Sequence, residues 1–190
     1  MSIFSSHYNS SGTVEDGVGA LAEELAIDSA KKVSVKKAHS RQRRSHARVG
    51  MGTVAGVGEE VRMLTLKSSD VLYSLLLSSD GGSTAGDADL GIYLSGANHD
   101  GALPAAACVD AFSTTAVDID TAHDRVEHFE NGDYDTENIG LQLWELVNIT
   151  AASTYTVDPK VSFDLVFTMT VEPTVAISLV QLEAFYVAGD

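Results

Sequence analysis

Apolar and polar residues alternate along the run VSFDLVFTMTVE, which covers residues 161–172. Apolar side chains occupy the odd positions from Val161 to Val171, whereas the even positions are polar except for Val166. A strand turns successive side chains to opposite faces, so this period of two predicts an antiparallel strand with one face on a core and one in water. Burial of each apolar side chain contributes roughly 1.5–3 kcal/mol.

Four other segments have the composition of strands and lie between turn-forming residues. Pro173 ends the alternating run, and the last strand follows it. The apolar phase of that strand changes near Leu179 and Val180, which indicates a bulge or burial on both faces. The predicted strands cover residues 61–67, 71–77, 88–94 and 174–187.

Within residues 61–190, helical periodicity is confined to short stretches. The acidic, turn-rich residues 118–138 include one expected helical turn around residues 123–129. Residues 139–150 predict a short helix that closes one end of the body, since four apolar side chains share one helical face: Ile139, Leu143, Leu146 and Val147. Strands joined by turns with little helix predict a mainly β fold, an antiparallel β-sandwich of jelly-roll type.

The first sixty residues have a different character. Residues 15–32 predict a short amphipathic helix with Leu21 and Leu25 in its apolar stripe and with acids early and lysines late, which suits the helix dipole. An extended basic arm and a glycine-rich hinge follow, because neither contains enough apolar residues to fold alone. The predicted organisation is therefore residues 1–60 as helix, arm and hinge, and residues 61–190 as the sandwich body.

Charge separates the same two parts. The chain has a formal net charge of −15, yet residues 1–48 contain eight basic and five acidic side chains, whereas residues 49–190 contain four basic and twenty-two acidic ones. Such an acidic body repels nucleic acid and anionic membranes. It favours basic molecules or divalent cations as partners. The eight basic residues of the arm are Lys31, Lys32, Lys36, Lys37, Arg41, Arg43, Arg44 and Arg48.

The basic run has three interpretations: contact with nucleic acid, docking on an acidic protein surface such as a neighbouring copy, or a solvated tail. Residues 31–48 contain no aromatic side chain, so the stacking platform of a single-strand binder is missing. Protein docking is therefore favoured. The predicted partner-binding residues are the eight cations together with Leu21 and Leu25 of the amphipathic helix.

The motifs do not indicate an enzyme or a bound cofactor. The glycines in GMGTVAGVG lack the preceding strand of a dinucleotide site, and the serines lack the GxSxG elbow. His123 and His128 are five positions apart, without an HExxH motif or a partner for Cys108, which speaks against zinc. Acidic loops around Asp80, Asp87 and residues 118–135 suit Ca²⁺ but do not fit an EF-hand, so a Ca²⁺-supported module that binds a glycan or host surface stays an alternative.

No apolar run approaches the roughly 20 residues of a membrane-spanning helix. The first residues, MSIFSSHYNSSG, also lack the charged and apolar regions of a signal peptide. We therefore expect a chain that is made in a cytoplasm and stays soluble there.

Several pieces of the body resemble small virion structural proteins of tailed bacteriophages, including capsid decoration or cement proteins with sandwich folds. The resemblance covers roughly residues 61–187, and the first 60 residues depart from it. It is carried, in order, by DADLGIY (87–93), ALPAAACVDAFST (102–114), IGLQLWELVNIT (139–150), VSFDLVFTMTV (161–171) and VAISLVQLEAFYV (175–187).

The resemblance implies a non-enzymatic protein, made in the host cytoplasm and located in the virion, that binds a repeated protein lattice or the head-to-tail junction. The first 60 residues lie outside the resemblance, and we expect their helix and basic arm to be the anchor through which the body decorates or cements the capsid. The implied partners are other virion proteins, such as the major capsid protein or portal and neck proteins, and further copies of itself, with a trimer expected. Two alternatives stay open beside it. One is a head-to-tail junction or tail component that contacts DNA or the portal, and the other is the Ca²⁺-supported module.

Deletion of residues 1–48 is expected to abolish assembly and to leave the body folded, because the anchor is removed and the core is not. Light scattering after chromatography, at low and high salt, compares the full chain with one that begins at Gly50. Equal oligomeric states for the two chains would indicate a partner other than a further copy, with DNA or another virion protein as the next candidate. A truncated chain that still joined particles normally would contradict the anchor.

Overall fold

The computed structural model describes residues 42–51, 56–96, 108–113, 115–150 and 155–189. Within these residues, eight strands form two four-stranded antiparallel sheets that pack as a sandwich. The strands are β1 (Gln42–Met51), β2 (Glu60–Lys67), β3 (Val71–Ser79), β4 (Asp87–Leu94), β5 (Val117–Asp118), β6 (His123–Glu127), β7 (Ser162–Val171) and β8 (Ile177–Val187).

The strand order is that of a jelly roll. The first sheet has the order β1-β8-β3-β6 and the second the order β2-β7-β4-β5. The chain changes sheets at every connection except the one from β4 to β5, which stay together in the second sheet. This topology pairs strands that are distant in sequence, and it confirms the predicted mainly β, jelly-roll sandwich.

The core lies between the sheets. The odd-numbered side chains Phe163, Leu165 and Phe167 of β7 are fully buried, as their alternation predicts. Val166 and Asp164 are buried as well, so β7 is not half-solvated. The carboxylate of Asp164 accepts hydrogen bonds from Arg62 at 2.7 Å and Thr65 at 2.6 Å, because β7 lies inside its sheet next to β2.

A single α-helix of the described residues, α1 (Leu143–Thr150), buries Leu143, Leu146 and Val147 against the core. The backbone N–H of Leu143 donates to Asp70 and that of Trp144 to Ser68, so the turn between β2 and β3 holds the first residues of the helix. The predicted helix at one end of the sandwich is thereby confirmed. Ile139 lies before the helix and is exposed, which corrects its predicted place on the helical face.

The predicted helical turn around residues 123–129 is wrong. Residues His123–Glu127 form β6, which pairs with the last residues of β3, and a short 3-10 turn (Phe129–Asn131) follows. A second 3-10 turn (Thr136–Asn138) precedes α1. This polar segment pairs with the open edge of β3. The pairing outweighs the local preference of its residues for a helical turn.

Strand β1 lies in a part of the chain that the sequence assigns to the basic arm. Gln42–Met51 pairs with β8 from the Gln42–Val187 pair to the Met51–Ile177 pair. Met51 is buried, and Ala47 and Val49 pack against the core, since the apolar residues of this segment also recur with a period of two.

Residues Gln42–Asp190 form one compact unit. A chain that begins at Gly50 therefore lacks most of β1, and the informative deletion ends at Arg41. The predicted N-terminal helix, with Leu21 and Leu25, lies outside the described residues, as do Lys31, Lys32, Lys36, Lys37 and Arg41.

The last strand is buried on both faces. Val180, Leu182 and Ala184 face the core, and the intervening Gln181 and Glu183 are also buried. The register shifts between Val49 and Met51 of β1, where one residue of β1, Gly50, stands opposite two of β8, Ser178 and Leu179. Both the bulge and the two-sided burial that the sequence indicated are therefore present.

No helix among the described residues is long and apolar enough to cross a membrane.

Gly91 on β4 is required by a close backbone approach. A Cβ atom at this position would lie 2.2 Å from the carbonyl oxygens of Cys108 and Val109. Cys108 itself is a fully buried thiol, as expected for a lone cysteine.

We expect Gly91→Ala to lower the free energy of unfolding by about 3 kcal/mol, because the backbone of the crossing segment must move. Urea unfolding measures the loss. Gly56→Ala is the matched control, since a Cβ there meets no atom within 4 Å, and it should leave stability nearly unchanged. Equal urea midpoints for the two variants would show that the backbone at Cys108 and Val109 can move at little energetic cost.

Candidate functional site

Two polar side chains of β8 are buried on the outer face of the first sheet. Gln181 and Glu183 alternate with core residues, so they point away from the sandwich interior, yet they are only 7% and 2% exposed. Cationic side chains from the two edge strands of the sheet contact them. We call this set, Arg44, Arg48, Arg125, Gln181 and Glu183, the arginine–glutamate cluster.

Glu183 is held by two guanidinium groups. Arg44 of β1 donates from Nε to Oε2 at 3.1 Å and from Nη2 to Oε1 at 2.7 Å, which is the two-pronged geometry of a strong arginine–carboxylate pair. Arg125 of β6 approaches Oε2 with Nη1 at 2.9 Å. The carboxylate therefore connects the two edge strands, β1 and β6, to the interior strand β8.

Gln181 extends the cluster along β8. Its side-chain amide donates to Oε1 of Glu183, and its own Oε1 accepts a hydrogen bond from Nε of Arg48 at 2.5 Å. The guanidinium carbon of Arg44 also lies 6.0 Å from the ring centroid of Phe185, within the range of a cation–π contact. Two of the eight predicted partner-binding cations thus have partners within their own sheet.

The electrostatics of the cluster favour an ionised Glu183. Burial opposes ionisation, but the hydrogen bond from Arg44 and the positive charges of Arg125 and Arg44 outweigh it and hold the pKa of Glu183 below its usual value. The charges inside the cluster leave an excess of cation, since three guanidinium groups meet one carboxylate.

The guanidinium groups still face solvent. The side chains of Arg44 and Arg125 are 49% and 46% exposed, so each keeps N–H donors directed outward. Arg125 adopts φ 56°, a left-handed backbone that an arginine rarely takes. Glu127 lies on the same edge, where it accepts from the hydroxyl of Ser74 and the backbone of Leu75. The outward donors of Arg44 and Arg125 can bind carboxylates, whereas Glu127 on the same edge repels them.

The structure brings together only part of the predicted site. Arg44 and Arg48 belong to the cluster, whereas Arg43 lies on the other face of β1 beside Tyr186 and Lys67. Sequence reasoning missed Gln181, Glu183 and Arg125. The sequence contained a signal for Gln181 and Glu183, because these two polar residues occur at alternate positions within an otherwise apolar strand. Arg44 and Arg48 likewise share one face of β1.

A second polar region lies between the edge strands β5 and β6. It is an open depression of about 520 Å³ with His123, His128, Asp118 and Glu130 in its lining. Nε2 of His123 lies 2.6 Å from the carbonyl oxygen of Asp118, and burial together with the nearby His123 lowers the pKa of His128. Among the described residues, no three His, Cys, Asp or Glu side chains are grouped so that they could hold a metal ion.

Carboxylates also accumulate on the second sheet and its loops. Burial and the charge of Asp110 raise the pKa values of Asp89 and Asp133. Burial is the larger cause of both shifts, and the charge of Asp110 adds to it.

The comparisons with known proteins concern the fold. No protein-family model and no curated protein matches the sequence. A chain of the Ralstonia phage GP4 capsid has a similar structure, with a TM-score of 0.53 at 15% sequence identity, over 79% of this chain and 86% of that chain. A chain of the cyanophage Pam1 capsid asymmetric unit superposes less closely, with a TM-score of 0.34 at 11% identity, over 78% of this chain and 86% of that one. The sandwich is thus a fold that a phage capsid also contains.

We expect Arg44→Gln to lower the free energy of unfolding by about 1.5 kcal/mol, since a hydrogen bond to a charged group is lost while Arg125 still compensates Glu183. Arg43→Gln is the matched control, because it removes the same charge from the adjacent residue without touching the cluster. Urea unfolding at neutral pH measures both. A control that costs as much as Arg44→Gln would assign the loss to net charge.

The stabilisation by Glu183 should depend on pH. Its pKa is lowered on folding, so its contribution is complete above the ordinary value of 4.5 and disappears as the pH falls through the lower value of the folded state. The difference in stability between the wild type and Arg44→Gln should therefore shrink between pH 6 and pH 3. A difference that stays constant over this range would show that Glu183 is not the titrating partner.

Proposed function

We propose that the protein is a non-enzymatic structural component of a phage capsid, which decorates or cements the capsid through its N-terminal segment. The observation that carries the proposal is the likeness to the GP4 capsid chain, which covers most of both chains. The partners are other virion proteins. The protein is made in the host cytoplasm, resides in the virion and acts as a homo-oligomer, with a trimer as the expected state.

The arrangement of β1 supports an anchoring role for the residues before it. Five of the predicted partner-binding cations, Lys31 to Arg41, immediately precede β1 in the chain. β1 is an edge strand that pairs with β8 alone, so a load on the preceding segment acts first on this pairing. The contacts of Arg44 with Glu183 and of Arg48 with Gln181 oppose separation of β1 from the sheet.

The charge distribution supports docking on protein. Residues 31–41 contain five basic and no acidic side chains, while the net charge of the whole chain is −15. A neighbouring copy or another acidic virion protein is therefore an electrostatic partner for the segment, and the acidic body is repelled by packaged DNA.

Deletion of residues 1–41 should leave the sandwich folded and abolish binding to particles. The measurement is co-sedimentation with virions of a phage that encodes the chain, after the resident copies have been removed. A full-length variant with Gln in place of Lys31, Lys32, Lys36, Lys37 and Arg41 should also fail to bind. The variant with Arg at all five positions is the control and should bind.

Two results would overturn parts of the proposal. Absence of the protein from purified virions, measured by mass spectrometry, would refute the capsid role. Particle binding that survives the deletion would refute the anchor alone. Salt-sensitive binding to duplex DNA that disappears with residues 1–41 would favour a head-to-tail junction component.

A further inference from the structure

The cations of the described residues fall into two groups. Seven Lys and Arg side chains lie in the described part of the chain, and four of them have partners. Three are in the arginine–glutamate cluster, and Arg62 pairs with Asp164 at 2.7 Å. The other three form no ion pair and no side-chain hydrogen bond within the described residues: Arg43, Lys67 and Lys160.

These three cations lie at the same end of the sandwich. Arg43 and Lys67 line a depression of about 280 Å³ between the two sheets. Lys67 and Lys160 line an adjoining depression of about 300 Å³. The two depressions share Lys67 and Ser162, which are register partners on β2 and β7. We call this region, with Arg43, Lys67, Lys160 and Ser162, the cationic end.

The carboxylates of the cationic end serve the backbone. Asp70 accepts from the backbone N–H groups of Lys67 and Gly189, each at 2.9 Å. Asp158 accepts from the hydroxyl of Ser68 at 2.6 Å and from the backbone of Lys160 at 2.9 Å. These bonds fix two turns. Asp70 and Asp158 line the same depressions, but neither forms an ion pair with the three cations, so three positive charges face two negative ones there.

The backbone of Lys160 has a φ of 55°, in the left-handed region where glycine or asparagine is favoured. The backbone N–H of Lys160 donates to Asp158 within this turn.

The first described residue of the chain lies at the cationic end. Gln42, the first described residue, pairs with Val187, which is followed by residues that line the first depression. The five cations of residues 31–41 thus lead directly to Arg43 along the chain. Loop residues Asp80 and Asp120 lie at the opposite end, beyond the Ser79–Val180 pair.

We propose that the cationic end is a docking surface for carboxylate side chains of an acidic protein partner, and this inference rests on the proposed function. Arg43, Lys67 and Lys160 supply the charge complementarity, and Gln42, the first described residue, lies at the same end. A protein surface suits the site better than nucleic acid, because carboxylates can be presented locally, whereas a long polyanion is repelled by the acidic body.

The test uses the full chain and a hexaglutamate peptide as the probe. In ¹⁵N NMR spectra at low salt, the peptide should shift the backbone amides of Lys67, Lys160 and Gly189. The triple variant Arg43→Gln, Lys67→Gln, Lys160→Asn should lose these shifts and bind the peptide at least about tenfold more weakly, since three ion contacts are removed. Asn suits the left-handed position, so stability should be kept, as urea unfolding will show.

The control is Lys67→Arg with Lys160→Arg, which keeps both charges and should keep the shifts. Peptide-induced shifts confined to residues 31–41 or to the arginine–glutamate cluster would overturn the proposal. So would a DNA duplex that shifts the same amides more strongly than the peptide. If the wild type and the triple variant bind particles equally, the docking surface is refuted and the capsid role stands. If neither binds particles but the peptide still shifts the amides of the wild type, the capsid role is refuted and the docking surface stands.

Discussion

One buried carboxylate organises the first sheet. Glu183 lies on β8, between β1 and β3, and only 2% of it is exposed. Burial of an ion destabilises the folded state by several kcal/mol unless an opposite charge compensates it. Removal of the compensating partner therefore leaves an uncompensated charge in the interior. Arg44 and Arg125 provide the compensation from the two edge strands, so a single charge ties both edges of the sheet to its interior.

The few cations of this acidic body differ in what they contact. Arg44, Arg125 and Arg62 neutralise buried carboxylates and thereby stabilise the sandwich. Arg43 and Lys67 lack such partners among the described residues and lie together at one end. Adjacent residues of β1 belong to different groups because a strand turns them to opposite faces.

Much of the fold could be predicted because its signals are local. The alternation in β7 and the apolar face of α1 each appear within about ten residues, and both elements were found where the patterns placed them. β1 and β6 were not predicted as strands. Their residues are mostly polar or charged, and they become strands through pairing with β8 and β3. The local pattern is weak, since β1 has only the short alternation of Ala47, Val49 and Met51.

The sequence by itself determined the sandwich class, the acidic body and the concentration of cations before residue 49. It did not determine which cations bind within the molecule. Arg44 and Glu183 are 139 positions apart, and only the antiparallel register of β1 on β8 brings them into contact. Tertiary structure decided the site because a charge pair depends on distance and burial, and both arise only when distant strands meet.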